Sequence, residues 1–251
     1  MEYFAGFFDA EGYISLVRAG NFVIGIEQTD EAMAKLLKAT FNGNIYVKKR
    51  DNRKVSYDWK IATNIETALN FLEKIRPYSI VKRHQLDLIY EYINLRRTER
   101  KEKREEYISK IVTSRVPNPT SREIMDDIEP SIKPNKAFYK WLAGFFDGDG
   151  CFSCSPSGTK FNCWIGCHSS YPECIIHIQN RITGNITHVN GAKNTVWKWV
   201  CKGQDVISFC KKISPHLVIK KQQSLLCIDF KSASDREVKN HIISQIKHLN
   251  R

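Results

Sequence analysis

Two carboxylates stand out by position. Glu11 closes the stretch Phe4-Ala5-Gly6-Phe7-Phe8-Asp9-Ala10-Glu11-Gly12, and Asp149 closes the near copy Leu142-Ala143-Gly144-Phe145-Phe146-Asp147-Gly148-Asp149-Gly150. Each sits at the C-terminal end of a helical segment, where the macrodipole disfavours a negative charge. Close pairing of the two helices would add like-charge repulsion, so a cation should lie between the acids. A divalent ion with oxygen ligands fits, since magnesium is commonly held by one or two carboxylates together with substrate phosphate oxygens. Such ions generate a hydroxide nucleophile and stabilise a leaving oxygen in phosphodiester hydrolysis, which points to nuclease chemistry.

The elements that position these acids are duplicated. Asp9 to Asp147 is 147 − 9 = 138, and Pro77 to Pro215 is 215 − 77 = 138, so the chain is a tandem repeat. Ala5-Gly6 and Ala143-Gly144 put the smallest side chains at one level of each helix, which predicts a helix pair at a pseudo-twofold axis. Gly12 and Gly150 end the helices. In the first repeat Ile14 and Leu16, then Phe22, Ile24 and Ile26, alternate as a hairpin with one apolar face. Thr29-Asp30-Glu31 caps a helix with Met33, Leu36, Leu37 and Phe41 on its apolar stripe. A second hairpin runs from Ile45 to Ala62, and Thr63-Asn64-Ile65-Glu66 reads as a capping box for a helix through Leu69, Leu72 and Ile75. A further helix starts at Lys82. The second repeat follows the same order, with Gly184 answering Gly43 and Trp197-Lys198 answering Trp59-Lys60. A last helix, Ser234 to Leu249, has no counterpart in this reading.

The expected division is a first subdomain over 1–95, a charged and Pro-containing linker over 96–136, and a second subdomain over 137–251. Arg96 to Tyr107, nearly all charge, reads as an exposed helical extension. The fold class is α+β, two antiparallel sheets each with one face free for a partner.

Lys+Arg 39 against Asp+Glu 27 gives a formal charge of +12, which suits a polyanion. Nucleic acid and a membrane surface both fit that charge. The apolar runs are too short for a spanning helix and no leader pattern opens the chain, so nucleic acid leads, with no membrane partner and an intracellular, reducing compartment. All 8 cysteines fall between Cys151 and Cys227, in one repeat only, which argues against a shared disulfide plan. The spacing Cys151-x-x-Cys154 with Cys163-x-x-x-Cys167 invites zinc. Against it, 151 and 154 fall on opposite faces of a strand, and the first repeat folds without any of the four, so zinc is disfavoured and the cysteines read as small buried hydrophobes. The polar sheet faces carry candidate DNA-binding groups: Ser15, Lys48, Arg50, Lys54, Ser56, Asp58 and Lys60 in one repeat, and Ser153, Ser155, Ser157, Thr187, Asn194 and Lys198 in the other. They supply cations for phosphates and hydrogen-bonding groups for base edges.

Both motifs resemble the LAGLIDADG signature, and the flanking pattern is similar to a single-chain, two-repeat LAGLIDADG homing endonuclease over nearly the whole sequence. The first motif departs from it in having Phe4 where leucine is usual. The resemblance implies an αββαββα fold in each repeat, with the two sheets forming a DNA-binding saddle. It also implies magnesium- or manganese-dependent cleavage of both strands of a long, poorly palindromic duplex by a monomer, in the homing of an intron or intein. On the same basis Glu11 and Asp149 are metal ligands, with the Ala10 and Gly148 backbone beside them. Lys82 and Lys220 become peripheral catalytic lysines, and Gln28 and His168 candidates for ordering water. The alternative is an intron RNA maturase on the same scaffold, and an organelle is the favoured compartment.

Overall fold

The computed structural model describes residues 1–17, 21–115, 132–190 and 195–250. The chain divides into two compact units, Met1–Val116 and Pro117–Arg251. In the first, α1 (Glu2–Glu11) runs into β1 (Gly12–Leu16) and β2 (Phe22–Gln28), followed by α2 (Glu31–Phe41), β3 (Asn44–Lys48), β4 (Ser56–Ala62), α3 (Ile65–Ile75), α4 (Arg83–Asn94) and α5 (Arg97–Thr113). The second repeats this as α6 (Lys136–Asp149), β5 (Gly150–Ser157), β6 (Lys160–Ser169), α7 (Pro172–Gln179), β7 (Asn185–Asn190), β8 (Thr195–Lys202), α8 (Asp205–Ile213), α9 (Lys221–Ser232) and α10 (Arg236–Leu249). Each unit holds one four-stranded antiparallel sheet, ordered β1-β2-β4-β3 and β5-β6-β8-β7.

Period-two alternation decides the faces. Ile14, Leu16, Phe22, Ile24, Ile26, Trp59 and Ile61 are buried on one side of the first sheet, under α1, α2 and α3. The core there is aromatic: Phe8, Phe41 and Trp59 all pack on Phe71 with ring centroids 5.1–5.5 Å apart. Phe146, Trp199 and Phe209 make the corresponding cluster in the second unit. An indole edge needs room, and glycine supplies it. A Cβ on Gly43 would come within 3.0 Å of the Trp59 indole nitrogen and one on Gly184 within 2.3 Å of that of Trp199.

That contact corrects the repeat alignment. Trp59 pairs with Ile26 and Ile45, and Trp199 with Cys167 and Ile186, so Trp199-Val200, not Trp197-Lys198, answers Trp59-Lys60. The first hairpin of the second unit is the longer one, since β5 and β6 span 8 and 10 residues against 5 and 7 for β1 and β2.

Helix starts shift by one residue where an Asx competes with a hydroxyl. Asn64, not Thr63, accepts from the Thr67 amide at 2.9 Å, and Asp235, not Ser234, accepts from Glu237 and Val238 at 2.6 and 3.0 Å. The backbone chooses: Asn64 and Asp235 have the extended conformation of a cap, whereas Thr63 has a positive φ of 62°. In α2, Asp30 caps as expected, but Ala34 rather than Leu36 joins Met33, Leu37 and Phe41 in the core, and Leu36 is exposed.

The charged stretch after residue 95 is not a free extension. α5 lies on α4 and β1, with Tyr107 and Ile111 buried one turn apart. The first compact unit therefore runs beyond residue 95 to include this helix. α10 lies likewise on α9 and β5, and begins 236 − 97 = 139 residues after α5, so it has the counterpart that its sequence conceals. Each helix end is tied to the first strand of its unit: the Arg115 guanidinium donates to the Ile14 carbonyl, and the Asn250 amide to that of Phe152 at 3.1 Å. Replacing Ile111 by alanine should lower stability by about 2–5 kcal/mol. The adjacent, half-exposed Val112→Ala should cost less than about 0.5 kcal/mol. Urea unfolding followed by tryptophan fluorescence compares them, and equal effects would mean that α5 is not part of the core.

Candidate active site and nucleic-acid face

Both motif helices end in the same reciprocal clamp. The Asp9 carboxylate accepts from the Ser79 hydroxyl at 2.5 Å, the Ile80 amide at 2.7 Å and the Lys82 amide at 3.0 Å. In return the Lys82 ammonium donates to the carbonyls of Phe8, Asp9 and Ala10 at 3.0, 2.5 and 3.2 Å. In the second unit, Asp147 accepts from the amides of Val218, Ile219 and Lys220 at 2.7, 3.1 and 2.7 Å. Lys220 donates to the carbonyls of Phe146, Gly148 and Gly150 at 3.0, 2.6 and 2.8 Å. Each lysine thus donates to carbonyls at a helix C-terminus, sharing those of Phe8 and Phe146 with the Gly12 and Gly150 amides, and sets a positive charge against the negative end of the macrodipole.

The clamp explains how Glu11 and Asp149 are held at helix ends that would otherwise repel them. Glu11 is half-buried at the last residue of α1, and Asp149 exposed at the last residue of α6. Their carboxylates are hard oxygen donors of the kind divalent cations take. Lys82 and Lys220 lie at the C-terminal ends of the motif helices, with their ammonium groups engaged with helix backbone, the carbonyls of Ala10 and Gly148 included. Asp9 and Asp147 act on the loop before α4 and α9 rather than on a turn of their own helix. Sequence reading missed this partner; the signal was the equal spacing from each aspartate to its downstream lysine, 82 − 9 = 73 and 220 − 147 = 73.

Gln28 and His168 are not equivalent. Ile26 pairs with Gly12 and Cys167 with Gly150, so the counterpart of His168 is Glu27, and that of Gln28 is Ser169. Gln28 spends its side chain locally, donating to the Asp30 carbonyl and accepting from the Asp30 amide at 2.7 Å. His168 is exposed on the free face; burial and the nearby Lys198 ammonium hold its pKa below the usual imidazole value, while Asp149 pulls the other way. A neutral imidazole near the second acid can accept a hydrogen bond from water.

The free face of the first sheet is an ion network. Glu27 and Asp58 stand directly opposite each other on β2 and β4, an arrangement that repels. Cations fill in around them: Lys48 reaches Glu27 at 2.6 Å and Asp58 at 2.5 Å, Lys60 reaches Asp58 at 2.9 Å, and Arg50 reaches Glu27 at 2.9 Å. Ser56 and Tyr13 add hydroxyl donors at 2.8 Å, to Glu27 and Asp58. Burial of Asp58 works to raise its pKa, but the combined bonds from Lys48, Lys60 and Tyr13 outweigh it and hold the carboxyl below the ordinary value. Glu27 is lowered chiefly by Lys48, and Tyr13 is raised by burial and by Asp58. The structure thus gathers Lys48, Arg50, Ser56, Asp58 and Lys60, and adds Tyr13 and Glu27, which sequence reading did not single out. Ser15 shares this face, and Lys54 is exposed just before β4.

On the second sheet, Ser153 and Ser155 lie on the face opposite the buried Phe152 and Cys154. Thr187 is paired with Lys198, whose ammonium lies 4.7 Å from the Trp164 ring, an aromatic that sequence reading also passed over. Ser157 is exposed at the end of β5, and Asn194 lies outside the described residues. No described helix is long and apolar enough to cross a membrane.

Comparison with known proteins bears on this geometry. Residues 1–115 match the family described as LAGLIDADG-like domain, and residues 142–246 match LAGLIDADG endonuclease. A search of curated proteins found no match. Among solved structures, I-SmaMI bound to an uncleaved DNA target in the presence of calcium ions is similar at a TM-score of 0.66 and 17% identity, covering 100% of this chain and 98% of its own. I-AabMI bound to uncleaved DNA follows at 0.65 and 18%, covering 98% and 96%, and I-GzeII in complex with its DNA target at 0.62 and 17%, covering 98% and 97%. Divalent-metal dependence goes with this family. With both repeats matched and the fold aligned over its length, the chain belongs to the LAGLIDADG homing endonuclease family as a single polypeptide carrying two LAGLIDADG domains.

Proposed function

We propose that this protein cuts both strands of a long, poorly palindromic DNA duplex by hydrolysis, with Glu11 and Asp149 as ligands to magnesium or manganese. The observation that carries the reading is the twice-built motif end, a carboxylate at a helix terminus locked by an Asp–Lys clamp. The ion, when bound, supplies a Lewis acid that lowers the pKa of water and stabilises the leaving oxygen. The chain's own groups hold the rest in place. Asp9 and Asp147 fix the loops that carry Lys82 and Lys220, and these lysines hold the helix ends. They are positioning residues by this geometry. His168 orders water near the second acid. Lys48, Arg50, Lys54, Lys60 and Lys198 meet phosphates, while Ser15, Ser153, Ser155 and Thr187 offer hydrogen bonds to base edges; Asp58 and Ser56 are buried and hold the ion network together instead. Both motifs reside in one chain, so the working species is a monomer. The compartment is a reducing one, in keeping with the eight free cysteines.

With magnesium present, Glu11→Gln or Asp149→Asn should abolish cutting of the native target while leaving duplex affinity within about 1 kcal/mol, a few-fold, of wild type. Gel-shift and cleavage assays on one substrate separate the two properties, and full cutting by the double variant would refute the assignment. Lys82→Met should destabilise the fold by about 1–3 kcal/mol, through the loss of charged hydrogen bonds to buried carbonyls. It should also raise the magnesium concentration needed for half-maximal cutting, with Lys82→Arg recovering part of the loss. A variant with unchanged metal response would restrict the lysine to a stabilising role. For the sheet face, Lys54→Ala should flatten the log–log dependence of duplex affinity on salt by about 0.9 while leaving sequence preference intact. An unaltered slope in fluorescence anisotropy titrations would remove Lys54 from the phosphate-binding surface.

A further inference from the structure

The second unit holds a group of cysteines that the proposed cleavage does not use. Cys154 and Cys163 are directly opposite on β5 and β6, with their sulfurs 3.1 Å apart, and Cys227 of α9 brings a third sulfur to 3.9 Å from Cys154. All three are buried, and their sulfurs lie within 4.8 Å of one another. Cys210 of α8, also buried, lies near enough to act electrostatically on Cys154, though outside the group of three. This is not the set that sequence spacing suggests: Cys151 does lie on the opposite face of β5 from Cys154, and Cys167 is apart from the three.

The first unit shows what ordinary core packing places at these positions. The offsets 154 − 138 = 16, 163 − 141 = 22, 210 − 138 = 72 and 227 − 138 = 89 lead to Leu16, Phe22, Leu72 and Ile89, all buried. The strand register agrees, since Leu16 pairs with Phe22 as Cys154 pairs with Cys163. One cysteine in place of a leucine is an unremarkable small hydrophobe. Four together in place of two leucines, a phenylalanine and an isoleucine remove a large apolar volume from one spot, which a core tolerates poorly. They also converge on one another rather than facing different neighbours.

We propose that Cys154, Cys163 and Cys227, with the buried Cys210 drawn in on binding as the fourth ligand, form a structural site for a thiophilic cation of the zinc class in the second unit. Thiolate sulfurs select soft and borderline cations, and zinc in structural sites closes on four such ligands. As each sulfur–metal bond forms, its thiol proton passes to solvent, so two positive charges replace up to four protons. The Lys231 ammonium lies near enough to Cys163 to offset part of the remaining negative charge. Access exists as well: a cleft of about 490 Å³ is lined by Cys163 together with Asn162, Trp164, Lys202 and Lys231. The ion would tie β5, β6, α8 and α9 together and fill the volume that the first unit fills with side chains.

The test uses the full chain, reduced and stripped of metal, titrated with Co²⁺ and then Zn²⁺. One equivalent of cobalt should give a thiolate-to-metal charge-transfer band with the visible spectrum of a tetrahedral site, and one equivalent of zinc should remove it. Cys163→Ser and Cys227→Ser should lose the band, whereas Cys151→Ser should keep it. Should the serine variants not fold, the graft Cys154→Leu/Cys163→Phe/Cys210→Leu/Cys227→Ile, which installs the first unit's own residues, should fold and show neither the band nor a zinc-dependent rise in Tm. A wild-type protein without the band overturns the proposal, as does a band that persists in the graft. A Cys154–Cys163 disulfide found by mass spectrometry in protein purified without reductant would also overturn it.

Discussion

A carboxylate at the C-terminus of a helix is opposed by the helix itself, and each unit of this protein answers that opposition in the same way. Lys82 and Lys220 place ammonium groups on the last carbonyls of α1 and α6, while Asp9 and Asp147 grip the backbone that carries those lysines. The two halves of the clamp are interdependent. Without the aspartate the loop has no fixed height against the helix, and without the lysine the last helix carbonyls lose a charged donor next to Glu11 or Asp149. Each hydrogen bond here involves a charged partner in a mostly buried setting, where such bonds are strongest. The strands follow directly from these helix ends at Gly12 and Gly150, so the position of each sheet depends on the same clamp. A Cβ at either glycine would collide with the Phe8 or Phe146 ring, which keeps the strand close against its helix.

The polar face of the first sheet shows a second use of opposed charge. Glu27 and Asp58 are cross-strand neighbours of like sign, and the cations around them are shared rather than spare. Such a face is pre-organised, because its side chains are held by one another before any partner arrives. It is also only mildly cationic, so a phosphate at Lys48, Arg50 or Lys60 competes with Glu27 and Asp58 for the same groups, while Lys54 lies outside the network. The second sheet lacks this network among its described residues and offers Lys198, Trp164 and His168 instead. The two repeats therefore share a backbone plan and differ in the chemistry each presents, as recognition of a poorly palindromic site would require.

Much of this was legible beforehand, and the failures have identifiable causes. Alternation in Ile14, Leu16, Phe22, Ile24 and Ile26 marked the buried sheet face, because a strand has only two sides. The capping boxes were misplaced by one residue, since an Asx and a hydroxyl stood side by side and only backbone geometry chose between them. The helix at Arg97–Thr113 reads as exposed in the sequence because two apolar residues one turn apart, Tyr107 and Ile111, are a weak stripe in a run of charge. Trp197 was matched to Trp59 because both precede a lysine; the true counterpart, Trp199, is recognised by the glycine that makes room for its indole.

By itself, the sequence determined that the fold is duplicated, that each half is a helix-backed antiparallel sheet, and that an acid ends each motif helix. These follow from local spacing: a 138-residue repeat, period-two alternation and a glycine helix stop are all contained in one continuous stretch or its copy. Which residues meet across that spacing was decided only by tertiary structure. The clamp joins residues 70 or more positions apart, the Glu27–Asp58 network depends on strand register, and the cysteine group draws on β5, β6 and α9. Contacts of that kind are set by how the elements pack, and a change of register by one residue turns every side chain of a strand to the other face.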